Sequence, residues 1–517
     1  FDVMRLKRWD SATKGGDPVI ALTLLVLQAP PPPPPSPPPP PPPPRMQWVA
    51  ARAPRPPRVH VHIPRPPVPP RPPRPLRDGP GPDSAMVAGL LGALAQTPPS
   101  ICGMAVGALG NGWSWTETRS GVSALREESP ALRGERLRFQ AGLRDGRAVP
   151  LLASALAREE PCVRRAAASL LGRSTLPEAG TALRNGLQSA DPRVREAAAL
   201  GLGQREDSAA FQGLVAALGD RDTAVVRMAA WALGNLEDPR AFTALAKVTT
   251  SDAAGVRAAA AGALGSLEDP RGVPVLIPLL RDREAGVREA AAAALGQIED
   301  PAASGALVQT LRDQEPRVRL AAVEALGQIE DAKTAPGVVD LLKDPSSDVR
   351  EAAADALGQM EARSAVPGLI RALGDEDSRV RAAAANALGT IEDPAAAEAL
   401  GTAVSDPVPE VRREAISALG QLDELHTAPA GLLAALHDPD PEVRGAAAET
   451  LGQIGDPASI AGLAGLLRDE RVEVRRRAVE SMGEIDDERV TPHLVAAMKD
   501  PDAEVRRAAA RALGEHR

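Results

Sequence analysis

One ten-residue pattern, Val-Arg-x-Ala-Ala-Ala-x-Ala-Leu-Gly, constrains this chain more than any other feature. It is clearest in VREAAAAALG, from Val287 to Gly296. Its leading Val falls at 163, 194, 225, 256, 287, 318, 349, 380, 411, 443, 474 and 505. Every step is 31 residues except that from 411 to 443, which is 32. The closing Gly is present all twelve times, from Gly172 to Gly514. A fixed period of this length marks stacked copies of one small unit rather than several separate cores.

Each period reads as two helices. The first opens at Asp-Pro, as at Asp238-Pro239, Asp269-Pro270, Asp300-Pro301, Asp393-Pro394 and Asp456-Pro457. Asp caps free amides, and Pro at the first helical position gives up only an amide that had no partner. Apolar residues follow at helical spacing, for example Val273, Leu276, Ile277 and Leu280. A polar loop such as RDREAG leads to the second helix, and the Gly in register is expected to end it in a left-handed C-cap. Counting from the Val as position 0, positions 0, 3, 4, 7 and 8 share one side of that helix and form its expected core face. Helices this short are marginal alone and need neighbours on both sides.

Composition agrees with repetition. The chain has no Tyr, four Phe and five Trp; helices that touch through Ala do not need large rings to fill space. Charge is split along the chain. Residues 1–130 hold 14 Lys and Arg against 8 Asp and Glu, whereas 131–517 hold 46 against 60. An acidic body is a poor match for phosphate backbones, so nucleic acid is not an expected partner of the repeats. Cys102 and Cys162 are the only cysteines, with no CxxC or Cys/His spacing, and make neither a disulfide framework nor a zinc site. No apolar run spans a bilayer. Val19–Leu27 resembles a signal-peptide core but sits between Asp17-Pro18 and a proline run, so a cytoplasmic location is the expectation. Residues 30–82 contain 27 of the 53 prolines and become Arg/Pro-rich towards Arg77. Such a leader is expected to be extended or disordered, either a spacer or a ligand for SH3- or WW-type domains. Residues 83–130 show short apolar patches without an assignable pattern.

The Asp-Pro start, the Val273-Pro274-Val275-Leu276 stretch and the VRxAAAxALG helix resemble HEAT-like repeats of the phycobilin lyase type. The resemblance covers residues 131–517 and implies an all-α fold. This is a right-handed α-solenoid (superhelix) of about twelve 31-residue helix pairs, with a degenerate N-terminal cap starting near Leu132. It also implies that second helices line a concave surface. The same repeat serves scaffolds, bilin lyases and one di-iron enzyme, deoxyhypusine hydroxylase, which holds its irons with His-Glu dipeptides. This chain has no His-Glu pair, and its six histidines do not recur in register. His60 and His62 lack a nearby carboxylate or Cys partner. No cofactor, metal or catalytic motif is expected.

The expected function is therefore a protein–protein interaction scaffold. An auxiliary bilin lyase or isomerase is the alternative implied by resemblance, and a nucleic-acid binder is a more remote one. Two charged ladders run in register. Arg follows Val, as at Arg288, Arg319, Arg350 and Arg381, and Asp precedes it by five, as at Asp282, Asp313, Asp344 and Asp375. They read as structural pairs or caps between neighbours rather than as a binding stripe. Binding residues are sought where the pattern varies, at positions 2 and 6, which are one turn apart on the face opposite the core. Candidate partner-binding residues are Leu200, Arg227, Trp231, Leu320, Glu324, Glu351, Asp355 and Arg413, with Trp231 as the anchor. Arg475, Arg476, Arg477, Arg506, Arg507 and Arg511 make the last two repeats locally basic.

Overall fold

A computed structural model describes residues 84–96, 145–422 and 425–515. The Pro-rich segment, the signal-like run at 19–27, His60, His62 and the expected start of the cap near Leu132 lie outside the described residues. Two compact units divide the chain, residues 1–207 and 208–517. Among the described residues all regular structure is helical, with no strand.

In the first unit the helices are α1 (Ser84–Ala95), α2 (Ala148–Ala155), α3 (Pro161–Arg173), α4 (Pro177–Gly186) and α5 (Pro192–Arg205). Helix α1 packs on α2 and α3, while α3 and α5 lie side by side with α4 against both. Cys162 is buried in α3 and disulfide-bonded.

The second unit is ten helix pairs. They begin with α6 (Phe211–Ala217) and α7 (Thr223–Asn235), α8 (Phe242–Val248) and α9 (Ala254–Ser266), and α10 (Val273–Leu276) and α11 (Ala285–Ile298). Next come α12 (Ser304–Thr310) and α13 (Pro316–Ile329), α14 (Ala335–Asp340) and α15 (Ser347–Gln359), and α16 (Val366–Ala372) and α17 (Ser378–Ile391). The last four are α18 (Ala397–Ala403) and α19 (Pro409–Gly420), α20 (Ala430–Ala434) and α21 (Pro441–Ile454), α22 (Ile460–Leu466) and α23 (Val472–Glu484), and α24 (Thr491–Ala497) and α25 (Ala503–Glu515). Within the unit each second helix packs against its neighbouring second helices and against the first helix of its own repeat. This is an α-solenoid.

The Asp-Pro signals act as caps. The carboxylates of Asp238, Asp269, Asp300, Asp393 and Asp456 each accept a hydrogen bond from the backbone N–H two residues on. A short 3-10 turn forms first and passes into the α-helix, so the first helix is a composite. Leu264, Leu295, Leu326, Leu357 and Leu388 are fully buried. Burying each stabilises the stack by about 2 kcal/mol.

Two local details differ from the sequence reading. The first concerns the Gly in register, which is helical and, from Gly172 to Gly389, buried rather than a left-handed cap. A Cβ on Gly265 would sit 2.7 Å from Ala294 Cα, and one on Gly296 2.8 Å from Ala325 Cα. The Gly is required for close approach of the next helix. The left-handed residue comes three positions later and is Glu in most repeats, at Glu206, Glu237, Glu268, Glu299, Glu330, Glu361 and Glu392, with φ from 47° to 55°. Only Gly455 supplies glycine there, at φ 69°.

The second detail is the core face. Position 5 (Ala261, Ala292, Val323, Ala354, Ala385) is fully buried, whereas position 3 (Ala259, Ala290, Ala352, Ala383) is half-buried. A second helix is flanked by two like itself as well as backed by first helices, so its buried arc is wider and rotated relative to one facing a single core.

The 32-residue step coincides with a first helix that lacks the leading 3-10 turn. Helix α20 has five residues and no side-chain cap, and Gly431 lies directly on the carbonyl of Gly401.

Candidate docking face

The two ladders join neighbouring repeats. Arg257, Arg288, Arg319, Arg350, Arg381, Arg412, Arg444 and Arg475 meet Asp282, Asp313, Asp344, Asp375, Asp406, Asp438, Asp469 and Asp500 of the following repeat at 2.6–2.8 Å. Each Arg also reaches back into its own loop, as when Arg288 Nη1 donates to the Asp282 carbonyl at 2.8 Å. Each Asp carboxylate accepts its own loop's N–H as well, as Asp313 does from Glu315 at 3.0 Å. The Arg288 guanidinium holds the Asp313 carboxyl below the usual carboxylate range. These groups are nearly buried and, Arg412 Nε apart, satisfied by hydrogen bonds, so they hold the stack together and leave no charge for a partner.

On the second helices, packing leaves one outer arc open. It carries position 2, position 6, and one further turn at each end. Position 6 runs from half-buried Trp231 through Gly262 and exposed Ala293 to exposed Glu324, Asp355 and Asn386. Position 2 contributes exposed Arg227, half-buried Leu320, Glu351 and Arg413, and half-buried Glu289. The sequence reading missed the flanking rows. Exposed Gln297, Gln328, Gln359, Gln421 and Gln453 lie one turn after position 6, and Arg317 and Arg379 one turn before position 2. The signal was the same 3.6-residue spacing carried one turn further.

The arrangement gives the face three regions. Trp231, Ala258, Gly262 and Ala293 make a low-relief apolar stretch, with the stem of Arg227 lying over Gly255. The middle is acidic, and its carboxylates differ in state. Glu289 meets Arg317 at 3.5 Å and Glu351 meets Arg379 at 2.9 Å. No basic side chain of the described residues lies within ion-pair distance of Glu324 or Asp355. Burial, then repulsion from Glu289, raises the Glu324 carboxyl above its ordinary value. The same two causes, with Glu351 as the neighbour, push Asp355 up to about 6. Both tips reach solvent, yet helix walls on either side thin the water around them.

The third region, towards the last repeats, is mixed in charge. Arg413 pairs with Glu410 at 3.1 Å, Arg476 with Glu480 at 2.5 Å and with Glu473, Arg477 with Glu473 at 3.3 Å, and Arg507 with Glu504 at 2.8 Å. Arg475 belongs to the ladder, and Arg506 donates to the Asp500 carbonyl at 2.7 Å. The basic end expected from sequence is therefore locally neutralised.

Leu200 is a correction. It is 4% exposed, a packing residue rather than a partner-facing one. In the first unit this face is covered: Ser169, its counterpart on α3, is equally buried, and α1 packs on α3.

The clefts in the second unit lie elsewhere. One of about 840 Å³ is lined by the Arg281–Ala285 and Arg312–Glu315 loops, and one of about 440 Å³ by residues such as Lys343, Arg371 and Glu376. Both are open and polar and follow the loop edge where the ladder runs. Among the described residues no group of His, Cys, Asp and Glu is arranged to hold a metal ion, and no helix is long and apolar enough to cross a membrane.

A solenoid of paired helices joined by an internal Arg–Asp ladder defines the class. The model of HEAT repeats matches in overlapping segments from residue 180 to residue 514, and the chain belongs to the HEAT-repeat family. No curated protein matches it significantly. Among solved structures, importin beta is similar over 84% of this chain and 69% of its own, at 16% identity and a TM-score of 0.51, which shows the fold alone. An engineered protein is 25% identical over 65% of this chain and 98% of its own, with a TM-score of 0.38. The complex of CpcE and CpcF of phycocyanin lyase from Nostoc sp. is 27% identical over 47% of this chain and 93% of its own, with a TM-score of 0.30.

Proposed function

We propose that the chain is a non-catalytic protein-interaction scaffold whose partner docks on the second-helix face of residues 208–515. The observation that carries this reading is the contrast between rows. The Arg and Asp groups that recur in register are consumed by internal pairs, whereas Trp231, Leu320, Glu324 and Asp355 break the repeat pattern on the arc of the second helices that packing leaves open. Side chains that vary while the scaffold repeats are where a solenoid gains specificity, and a half-buried Trp is a strong anchor.

The test is affinity capture with the full chain and with the double variant Trp231→Ala/Leu320→Ala, each checked for an unchanged helical signal. A protein held by the wild type and lost by the folded variant supports the reading. Equal capture by both removes the second-helix face as the docking site.

A further inference from the structure

Glu324 and Asp355 occupy the same register position on α13 and α15, two helices packed side by side. Packed helices lie roughly 8–10 Å apart, so repeat-equivalent side chains recur at about that interval. A polyproline II segment rises about 3.1 Å per residue with three residues per turn, so every third side chain falls on one edge, roughly 9 Å from the last. The two spacings coincide. A peptide lying across the second helices with arginine at every third residue would present successive guanidinium groups to successive repeats.

The chemistry of the face fits the same ligand. Glu324 and Asp355 are the carboxylates of the middle region without an ion-pair partner among the described residues, unlike Glu289 and Glu351 beside them. Crowding by the helix walls raises both carboxyls, which is the state a guanidinium relieves. On one side the row continues as Ala293, Gly262 and Trp231, flat enough for proline rings and ending in an aromatic plane. On the other side stands Asn386, a neutral hydrogen-bonding group.

We infer that the docking face takes an extended, proline-rich peptide of a partner protein, with arginines three residues apart bound at Glu324 and Asp355 and prolines laid towards Trp231. The pattern required is a real sequence type: it occurs in this chain as Arg52-Ala-Pro-Arg55-Pro-Pro-Arg58 and Arg71-Pro-Pro-Arg74-Pro-Leu-Arg77. This inference rests on the scaffold reading and specifies its partner.

The probe is a fluorescein-labelled synthetic peptide of repeating Arg-Pro-Pro, titrated by anisotropy into the full chain at low and at physiological salt. The control peptide has the same composition with its arginines contiguous. Saturable binding is expected, at least tenfold weaker for Glu324→Gln/Asp355→Asn and at least tenfold weaker for the control peptide. Both substitutions remove an uncompensated charge from an exposed arc, so the variant keeps its fold, and unchanged circular dichroism confirms this. No binding by the wild type, equal binding by the variant, or indifference to arginine spacing overturns the inference. If that happens while Trp231→Ala/Leu320→Ala still loses a captured protein, the scaffold reading stands and only the peptide chemistry falls.

Discussion

Arg319 and Asp344 meet across the boundary between two repeats, Nε to Oδ2 at 2.7 Å, with only 11% and 3% of their side chains exposed. The Asp344 carbonyl in turn accepts from Arg350 at 2.9 Å, and Arg350 pairs with Asp375 at 2.7 Å. Side chain and main chain thus alternate along a continuous hydrogen-bonded line from Arg257 to Arg506. An interaction that recurs at eight successive junctions does more for the stack than any single pair, because each repeat is held only by its neighbours.

Removing one partner should therefore be costly. Arg319→Ala strands the Asp344 carboxylate and is expected to destabilise by about 3 kcal/mol, read as a lower urea midpoint. The ladder also predicts acid sensitivity. Asp282, Asp313 and Asp500 are held below their ordinary range by bonds from Arg257, Arg288 and Arg475. Their contribution is complete above the ordinary carboxylate value of about 4 and is lost as pH falls through the lowered one. A urea midpoint unchanged between pH 6 and pH 2.5 would contradict this.

Much of this could be read in the sequence and some could not. Period and register were visible because Val, Arg and Gly recur at fixed offsets, and an Asp ladder that follows the Arg ladder by 25 residues suggests pairing between neighbours. The role of the Gly was not, because a Gly near the end of a short helix looks the same whether it caps the helix or admits a neighbour. The burial of Leu200 was hidden for another reason: periodicity places a residue on a helix face but does not say what packs against that face. Asp355 and Glu324 could be placed on the open arc from periodicity, but their unpaired state depends on where Arg317 and Arg379 reach.

Two glycines on one helix separate these roles. A Cβ on Gly262 meets nothing within 4 Å, whereas on Gly265 it meets Ala294 Cα at 2.7 Å. Gly262→Ala is expected to stabilise by about 0.5–1 kcal/mol through helix propensity. Gly265→Ala is expected to destabilise by about 1–3 kcal/mol, because backbone must move. Thermal midpoints that shift in the same direction would refute the close-approach account.

The left-handed glutamates are a reserve of stability. Glu330 holds φ 55° where the equivalent residue of another repeat is Gly455. Glu330→Gly should stabilise by about 1 kcal/mol, and Glu330→Ala should not. Equal midpoints for the two variants would show that backbone strain is not the cause.

Asp355 gives a pH-dependent signature of the docking face. Burial and Glu351 push its carboxyl up to about 6, so the folded chain binds a proton that the unfolded chain releases near 4. The sign is opposite to that of the ladder: ionising Asp355 opposes folding, and its cost appears as pH rises from about 4 to 6. Asp355→Asn should therefore melt higher than the wild type at pH 7.5, with the difference vanishing near pH 4. The same difference at both pH values would contradict the crowded, unpaired state of this carboxylate.

The most direct test of the docking claim is site-specific photo-crosslinking in cells. Benzoylphenylalanine would replace Ala293, on the open arc of α11, or Gln309, exposed on the first helix α12. A discrete crosslinked protein band from position 293 that is absent from position 309 is the predicted result. The same band from both positions, or from 309 alone, would contradict a partner seated on the second helices.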